Sequence, residues 1–190
     1  IILALDLYSY AQSIEVLLND INLKKGQSQV TDYGSIYKSS EHYYEIAPHN
    51  LQELSGLVKK AYKSDISMRI MGRSHSINGL ALPQENELLI RTQNFNNYSF
   101  DEHGTITVGS GIFVVALNQF LSTKQYGLPV YNGGGYGPSI GGYIAGGGIG
   151  PGAEQYGGFW ENVIEITLVS GTGEIIQCRR DDELFKWLFG

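Results

Sequence analysis

The sequence predicts an α+β fold in two lobes: a small α/β lobe to about Asn94, and a second lobe of mainly antiparallel strands with flanking helices. Three features carry this reading. A strand, helix, strand pattern runs from Tyr43 to Met71. Short β-type runs then recur from Leu88 onward, separated by turn residues. The 25 glycines concentrate between Gly133 and Gly158 with Ile, Tyr, Ala and Trp interspersed. Apolar residues inside such a run imply backbone packed closely against something flat or charged, because only glycine brings a backbone that near.

Taken in order, Ser9 caps a predicted helix from about Tyr10 to Lys25, with Ile14, Leu17, Leu18 and Ile21 on one face and Gly26 as the stop. Tyr43 to Ala47 reads as a strand ending at Pro48. Asn50 then caps a helix carrying Leu51, Leu54, Leu57, Val58 and Ala61 at helical spacing. Met68 to Met71 forms the next strand, and the loop at its carboxyl end is where α/β sheets bind ligands. Leu88 to Arg91 is a further strand. Tyr98 to Phe100 and Thr105 to Val108 pair around the turn Asp101 to Gly104. Phe113 to Lys124 fits a helix, Val163 to Ser170 and Glu174 to Arg179 flank the turn Gly171-Thr172-Gly173, and Asp181 and Asp182 start a last helix.

Composition removes several classes of function. At 190 residues and 42% hydrophobic, the chain can bury a core of its own. A net charge of −6 offers no basic field for a phosphate backbone, so the expected partner is a small molecule rather than nucleic acid. The single cysteine, Cys178, excludes a disulfide framework and a cysteine-built metal site; its place on a strand implies plain burial. No stretch reaches the roughly 18 apolar residues that cross a bilayer, so a soluble protein is expected, cytoplasmic or secreted. The chain opens on Ile1 without an initiator Met, so a trimmed or processed start is expected.

Two segments carry the chemistry. The loop Gly72-Arg73-Ser74-His75-Ser76-Ile77-Asn78-Gly79 is rich in small residues, whose successive N–H groups form a concave nest for anions. Ser74 and Ser76 add hydroxyls and Arg73 adds charge. From spacing alone this is equally a polar surface loop, and a lone histidine such as His75 is most often a surface or hydrogen-bonded structural residue. The second segment, Gly133 to Gly150, lacks the Lys followed by Ser or Thr of a nucleotide-triphosphate loop. A nicotinamide-binding fold requires a preceding buried strand and an acidic residue about 20 positions on, whereas Pro129 to Tyr131 is a poor strand and Glu154 lies too close to the end of the run. Two separated small-residue loops instead suit a long cofactor, its pyrophosphate on one and its ring along the other.

In order, Gly72-Arg73-Ser74-His75-Ser76, Gly141-Gly142-x-x-Ala145-Gly146-Gly147-Gly148-x-Gly150, Tyr156-Gly157, Asn162-Val163, Gly171-Thr172-Gly173-Glu174 and Asp182-x-Leu184-Phe185 resemble the FAD-binding domain of the vanillyl-alcohol oxidase / p-cresol methylhydroxylase (PCMH-type) flavoproteins. Within that family the pattern is most similar to cytokinin dehydrogenase and berberine-bridge-type oxidases. The resemblance covers roughly Tyr44 to Gly190. It implies an N-terminal helix and lead-in over 1–42 and an FAD-binding domain over 43–190, divided at 94/95. It further implies that Gly72, Arg73, Ser74, His75, Ser76, Asn78 and Gly79 wrap the FAD pyrophosphate, and that His75 bonds covalently to the flavin 8α-methyl carbon. Pro138, Ser139, Ile140, Gly141, Gly142, Ala145, Gly146 and Ile149 would line the ring and ribityl chain, Pro138 near a position that gates oxygen.

The implied activity is an FAD-dependent oxidation of an alcohol- or amine-type C–H, with hydride passing to flavin N5 and electrons to oxygen or another acceptor, an oxidase rather than a dehydrogenase. Two positions depart from the pattern. A second, cysteine link falls near Gly135, so a bicovalent flavin is not expected. The general base of cytokinin dehydrogenases falls near Gly134, so no catalytic base is assigned; Tyr131, Asn132 and Tyr136 are nearby polar residues for which core or rim roles are expected. Relatives continue with a further turn and strand and a substrate-covering domain, so these residues read as an FAD-binding portion. The rival readings are a flavin-binding module without turnover and a sugar-binding or structural glycine-rich protein.

Overall fold

A computed structural model of the chain describes residues 23–26, 28–101, 103–132 and 137–190. It divides into two compact units: the chain to Thr92 together with Val169–Ile175, and Gln93–Leu168 together with Ile176–Gly190.

The first unit is organised by a four-stranded sheet of β1 (Lys24–Lys25), β2 (Tyr44–Ile46), β3 (Met68–Met71) and β4 (Leu88–Arg91), in the order β1-β2-β4-β3. Strand β4 runs parallel to both neighbours, with Leu89 opposite Glu45 on one side and Arg69 on the other. Its burial is nearly complete, as a parallel strand covered on both faces requires. Leu88 and Ile90 pack on Leu57, Val58 and Ala61 of helix α1 (Leu51–Lys63). Leu89, pointing the other way, packs with Tyr43, Met71 and Leu82.

The predicted cap of α1 is present and reciprocal: Asn50 Oδ1 accepts from the Glu53 N–H at 2.8 Å, and Glu53 Oε2 accepts from the His49 N–H at 2.8 Å. The same helix is tied to the Val169–Ile175 segment, because the Ser55 hydroxyl donates to the Gly173 carbonyl at 2.6 Å. Gly173 has φ +87, and a Cβ there would meet the Ser55 carbonyl oxygen at 2.8 Å, so only glycine closes this contact.

The second unit holds the hairpin of β5 (Tyr98–Phe100) and β6 (Ile106–Val108). Asp101 Oδ1 fixes its turn by accepting from the N–H groups of His103 and Thr105. Helices α2 (Val114–Ser122), α3 (Ile140–Ala145) and α4 (Ala153–Tyr156) follow, then a 3₁₀ turn at Phe159–Asn162. Ile112, Val114, Leu117, Leu121, Val130, Ile140, Tyr143 and Phe159 form one core cluster. Strands β7 (Glu165–Val169) and β8 (Ile175–Arg179) pair as a two-stranded sheet around the predicted glycine turn. Cys178 on β8 is buried, and that burial, aided by Asp182, pushes its thiol up from the ordinary value.

Two expectations need correction. Lys24–Lys25 is not the end of a helix but an edge strand, paired antiparallel with Tyr44 and Glu45; the rest of the predicted Tyr10–Lys25 helix lies outside the described residues. The last helix is a 3₁₀ segment, Glu183–Trp187, behind Asp182. Among the described residues no helix is long and apolar enough to cross a membrane.

Two-sided packing of β4 has a measurable consequence. Leu89→Ala is expected to lower the unfolding free energy by about 3 kcal/mol. Ile70→Ala on neighbouring β3, where the side chain is 55% exposed, is expected to cost under about 1 kcal/mol. Urea unfolding of both variants checks this, and equal losses would contradict it.

Candidate functional site

The histidine-bearing loop begins where the sheet hands it over. Met71, the last residue of β3, is buried, and its carbonyl accepts from the Thr92 N–H at 3.1 Å. From there Gly72 and Arg73 are exposed, Ser74, His75 and Ser76 are half-buried, and Ile77 and Asn78 are exposed again. Ser74 sits in the left-handed region at φ 53, an uncommon conformation for a residue with a Cβ. Its hydroxyl donates to the Thr31 carbonyl at 2.6 Å, so it anchors the loop and has no second proton for a ligand. Asn78 Oδ1 accepts from the Leu80 N–H at 3.3 Å. Gly79 has φ +69 and lies against Tyr37, whose Cβ would be 3.1 Å from any Cβ added there.

Sequence reasoning missed the partner of this loop. Thr31 and Lys38 form a bridge, and between them Asp32 Oδ1 accepts from the N–H groups of Ile36 and Tyr37. That turn presents the Tyr33 N–H to the Ser76 carbonyl at 3.0 Å and the Tyr33 ring to the His75 imidazole, with centroids 4.2 Å apart and planes tilted by 44°. The signal was legible: Thr31-Asp32-Tyr33-Gly34-Ser35 is an Asp- and Gly-bearing turn sequence, absorbed above into the lead-in.

Desolvation, helped by the Arg73 charge, lowers the His75 pKa below the ordinary 6.5, leaving a neutral imidazole near pH 7. No hydrogen bond with the described residues holds either of its nitrogens. The N–H groups of Ser74, His75 and Ser76 likewise enter no backbone hydrogen bond among the described residues. The buried Ser76 Oγ also lacks a partner there. Open amides and an orphaned hydroxyl beside a guanidinium form a donor set that fits a pyrophosphate.

The second segment belongs to the other unit and divides its residues between two duties. Pro138, Ser139 and Ile140 are buried. The Pro138 carbonyl accepts from the Val114 N–H, Ser139 Oγ accepts from the Gly142 N–H as the cap of α3, and Ile140 joins the core cluster. Gly141 lies against Ser110, where a Cβ would come within 2.8 Å of the Ser110 Cβ. Gly142, Ala145, Gly146 and Ile149 are exposed. Part of the glycine content answers to the protein's own rings: a Cβ on Gly148 would stand 2.5 Å from the Tyr143 ring. Tyr131 is exposed, Asn132 is half-buried, and Gly134, Gly135 and Tyr136 lie outside the described residues.

Against known proteins, residues 44–179 match the family model described as FAD binding domain. The chain belongs to this family of FAD-binding domains. It is 28% identical to D-arabinono-1,4-lactone oxidase of Saccharomyces cerevisiae over 82% of the chain and 30% of that protein. It is 29% identical to reticuline oxidase of Eschscholzia californica over 75% of the chain and 27% of that protein. Cytokinin dehydrogenase 5 of Arabidopsis thaliana is 25% identical over 84% of the chain and 31% of its own length. Among solved structures, a VAO-type flavoprotein of Myceliophthora thermophila superposes with a TM-score of 0.71 at 19% identity, over 78% of this chain and 29% of that one. The fold is therefore that of the VAO/PCMH-type flavoproteins, as the motif order implied. The chain spans under a third of the length of these curated relatives.

Because folding favours neutral His75, its contribution to stability is complete above 6.5 and is lost as pH falls through the lower, folded-state value. An NMR pH series on the imidazole ring protons is expected to give a midpoint below 6.5; a midpoint at or above it would contradict the desolvated environment.

Proposed function

We propose that this chain is the FAD-binding part of an FAD-dependent oxidoreductase and that His75 carries the flavin covalently through its 8α-methyl carbon. The observation that supports it best is an imidazole without a hydrogen bond to the described residues, its pKa lowered by desolvation, in a loop whose Ser74, His75 and Ser76 N–H groups enter no backbone hydrogen bond among them, directly after the parallel edge strand β3. A nucleophilic nitrogen must be unprotonated to form a bond, and the lowered pKa meets that need at neutral pH. Gly72, Arg73, Ser74, Ser76, Asn78 and Gly79 would hold the pyrophosphate, with the Ser76 hydroxyl and the open N–H groups as donors. Pro138, Ser139, Ile140, Gly141, Gly142, Ala145, Gly146 and Ile149 would form the segment for the ring and ribityl chain, the first three by fixing the backbone and the exposed ones by contact.

FAD, when bound, supplies a ring that takes hydride at N5 from an alcohol- or amine-type C–H of a small-molecule substrate and passes the electrons to oxygen or another acceptor. Attachment exchanges the imidazole N–H and one methyl C–H for a C–N bond. The two hydrogens and the electron pair released would go to oxygen as the oxidant. Oxidase activity is proposed over dehydrogenase activity, in line with the names of reticuline oxidase and the lactone oxidase. The chain's own residues contribute position and a desolvated nucleophile; no catalytic base is assigned among them.

An absorbance scan of the purified full-length protein, followed by titration with FAD, tests this. Flavin bands are expected, and Ser76→Ala is expected to weaken non-covalent FAD binding by about 1 kcal/mol, roughly fivefold. Absence of flavin bands with no response to added FAD would reject the proposal.

A further inference from the structure

Resting on the proposed attachment at His75, we infer that Tyr33 is a positioning residue for it: its ring, stacked at a tilt on the imidazole, holds the imidazole plane in the orientation from which a nitrogen meets the flavin methyl carbon. The residue lies outside the 44–179 match to the FAD binding domain, so family membership assigns it nothing.

The need for such a residue follows from the loop. A histidine's outer torsion is broad and is normally set by a hydrogen bond on one nitrogen. At His75 no such bond exists with the described residues, and its neighbours Ser74 and Ser76 are too short to wall the ring. Among the described residues the aromatic ring against the imidazole is that of Tyr33, at 4.2 Å between centroids and 44° between planes. A ring contact restrains the imidazole plane while leaving both nitrogens free to react, which a hydrogen bond would not do.

Tyr33 can restrain because it is itself fixed to the loop it serves. Its N–H donates to the Ser76 carbonyl at 3.0 Å, one residue after the histidine. The Thr31 carbonyl takes the Ser74 hydroxyl at 2.6 Å, one residue before it. The histidine is thus bracketed on both sides by bonds to the same turn. Asp32, 3% exposed, shapes that turn by accepting from the N–H groups of Ile36 and Tyr37. The Tyr33 ring is 59% exposed, so its removal opens no core cavity, and its placement is not explained by burial.

The test uses the full-length protein as wild type, Tyr33→Phe, Tyr33→Leu and Tyr33→Ala. Each is incubated with FAD while two quantities are followed: non-covalent binding by flavin fluorescence, and the flavin absorbance that stays with acid-precipitated protein. Tyr33→Phe is expected to attach flavin at the wild-type rate. Tyr33→Ala is expected to bind FAD within about twofold of wild type yet attach it at least about tenfold more slowly, the scale of a misaligned reacting pair. The His75 ring protons should lose their upfield ring-current shift in Tyr33→Ala and keep it in Tyr33→Phe. Should Tyr33→Ala be poorly folded, Tyr33→Leu, which keeps apolar bulk without an aromatic face, carries the same expectation. Wild-type attachment in Tyr33→Leu or Tyr33→Ala, or loss of FAD binding in step with attachment, overturns the inference alone. A wild-type protein that binds FAD but holds none after acid overturns the attachment at His75 and this inference together.

Discussion

The double parallel pairing of Leu88–Arg91 is the constraint from which the site in the first unit is built. One strand hydrogen-bonded on both edges and covered on both faces has no freedom to slip, since a one-residue shift would exchange Leu88 and Ile90 for Leu89 between two different apolar surfaces. Its register fixes Met71 opposite Arg91, and Met71 fixes where the chain leaves the sheet. The loop carrying His75 therefore starts from a rigid point even though its own residues are small.

Rigidity at the start would be wasted if the loop wandered beyond it. Ser74 in the left-handed region carries a cost of about 1–3 kcal/mol, which persists only where neighbours over-determine the conformation. The Ser74 to Thr31 bond and the Tyr33 to Ser76 bond do this from one turn on the opposite side. The same arrangement leaves donors unspent. Among the described residues the buried Ser76 hydroxyl and the Ser74, His75 and Ser76 N–H groups lack partners, an arrangement unfavourable in isolation and relieved by the anion proposed to bind there.

Much of the fold was legible because its elements are locally consistent. Asn50 with Glu53 announced the helix start, and Met68–Met71, Leu88–Arg91 and Tyr98–Phe100 stand at the boundaries their β-type runs imply. What escaped reading were the elements made by tertiary contact. Lys24–Lys25 is an edge strand because Tyr44 and Glu45 offer a free ladder, a partner that helical periodicity upstream cannot reveal. Helix α3 forms across Gly141 and Gly142, poor helix residues, because the Ile112 and Ser110 carbonyls take its first N–H groups and Ile140 is drawn into the core. The glycine run was expected to press on a ligand, yet Gly148 makes room for Tyr143 instead, so glycine content alone overstated how much of the segment faces outward. At the site, the histidine was singled out by its motif, while Tyr33, 42 positions earlier in the chain, is brought to it only by the bonds that join its turn to the loop.

His75 is the meeting point of these features: an imidazole whose pKa desolvation lowers, held by sheet, turn and ring stack rather than by a hydrogen bond with the described residues. The measurement that bears on it most directly is the intact mass of the denatured full-length protein beside that of His75→Ala, both exposed to FAD. An increase of one flavin dinucleotide in the wild type and none in the variant is the expected pair of results. No increase in the wild type, or the same increase in both, would contradict it.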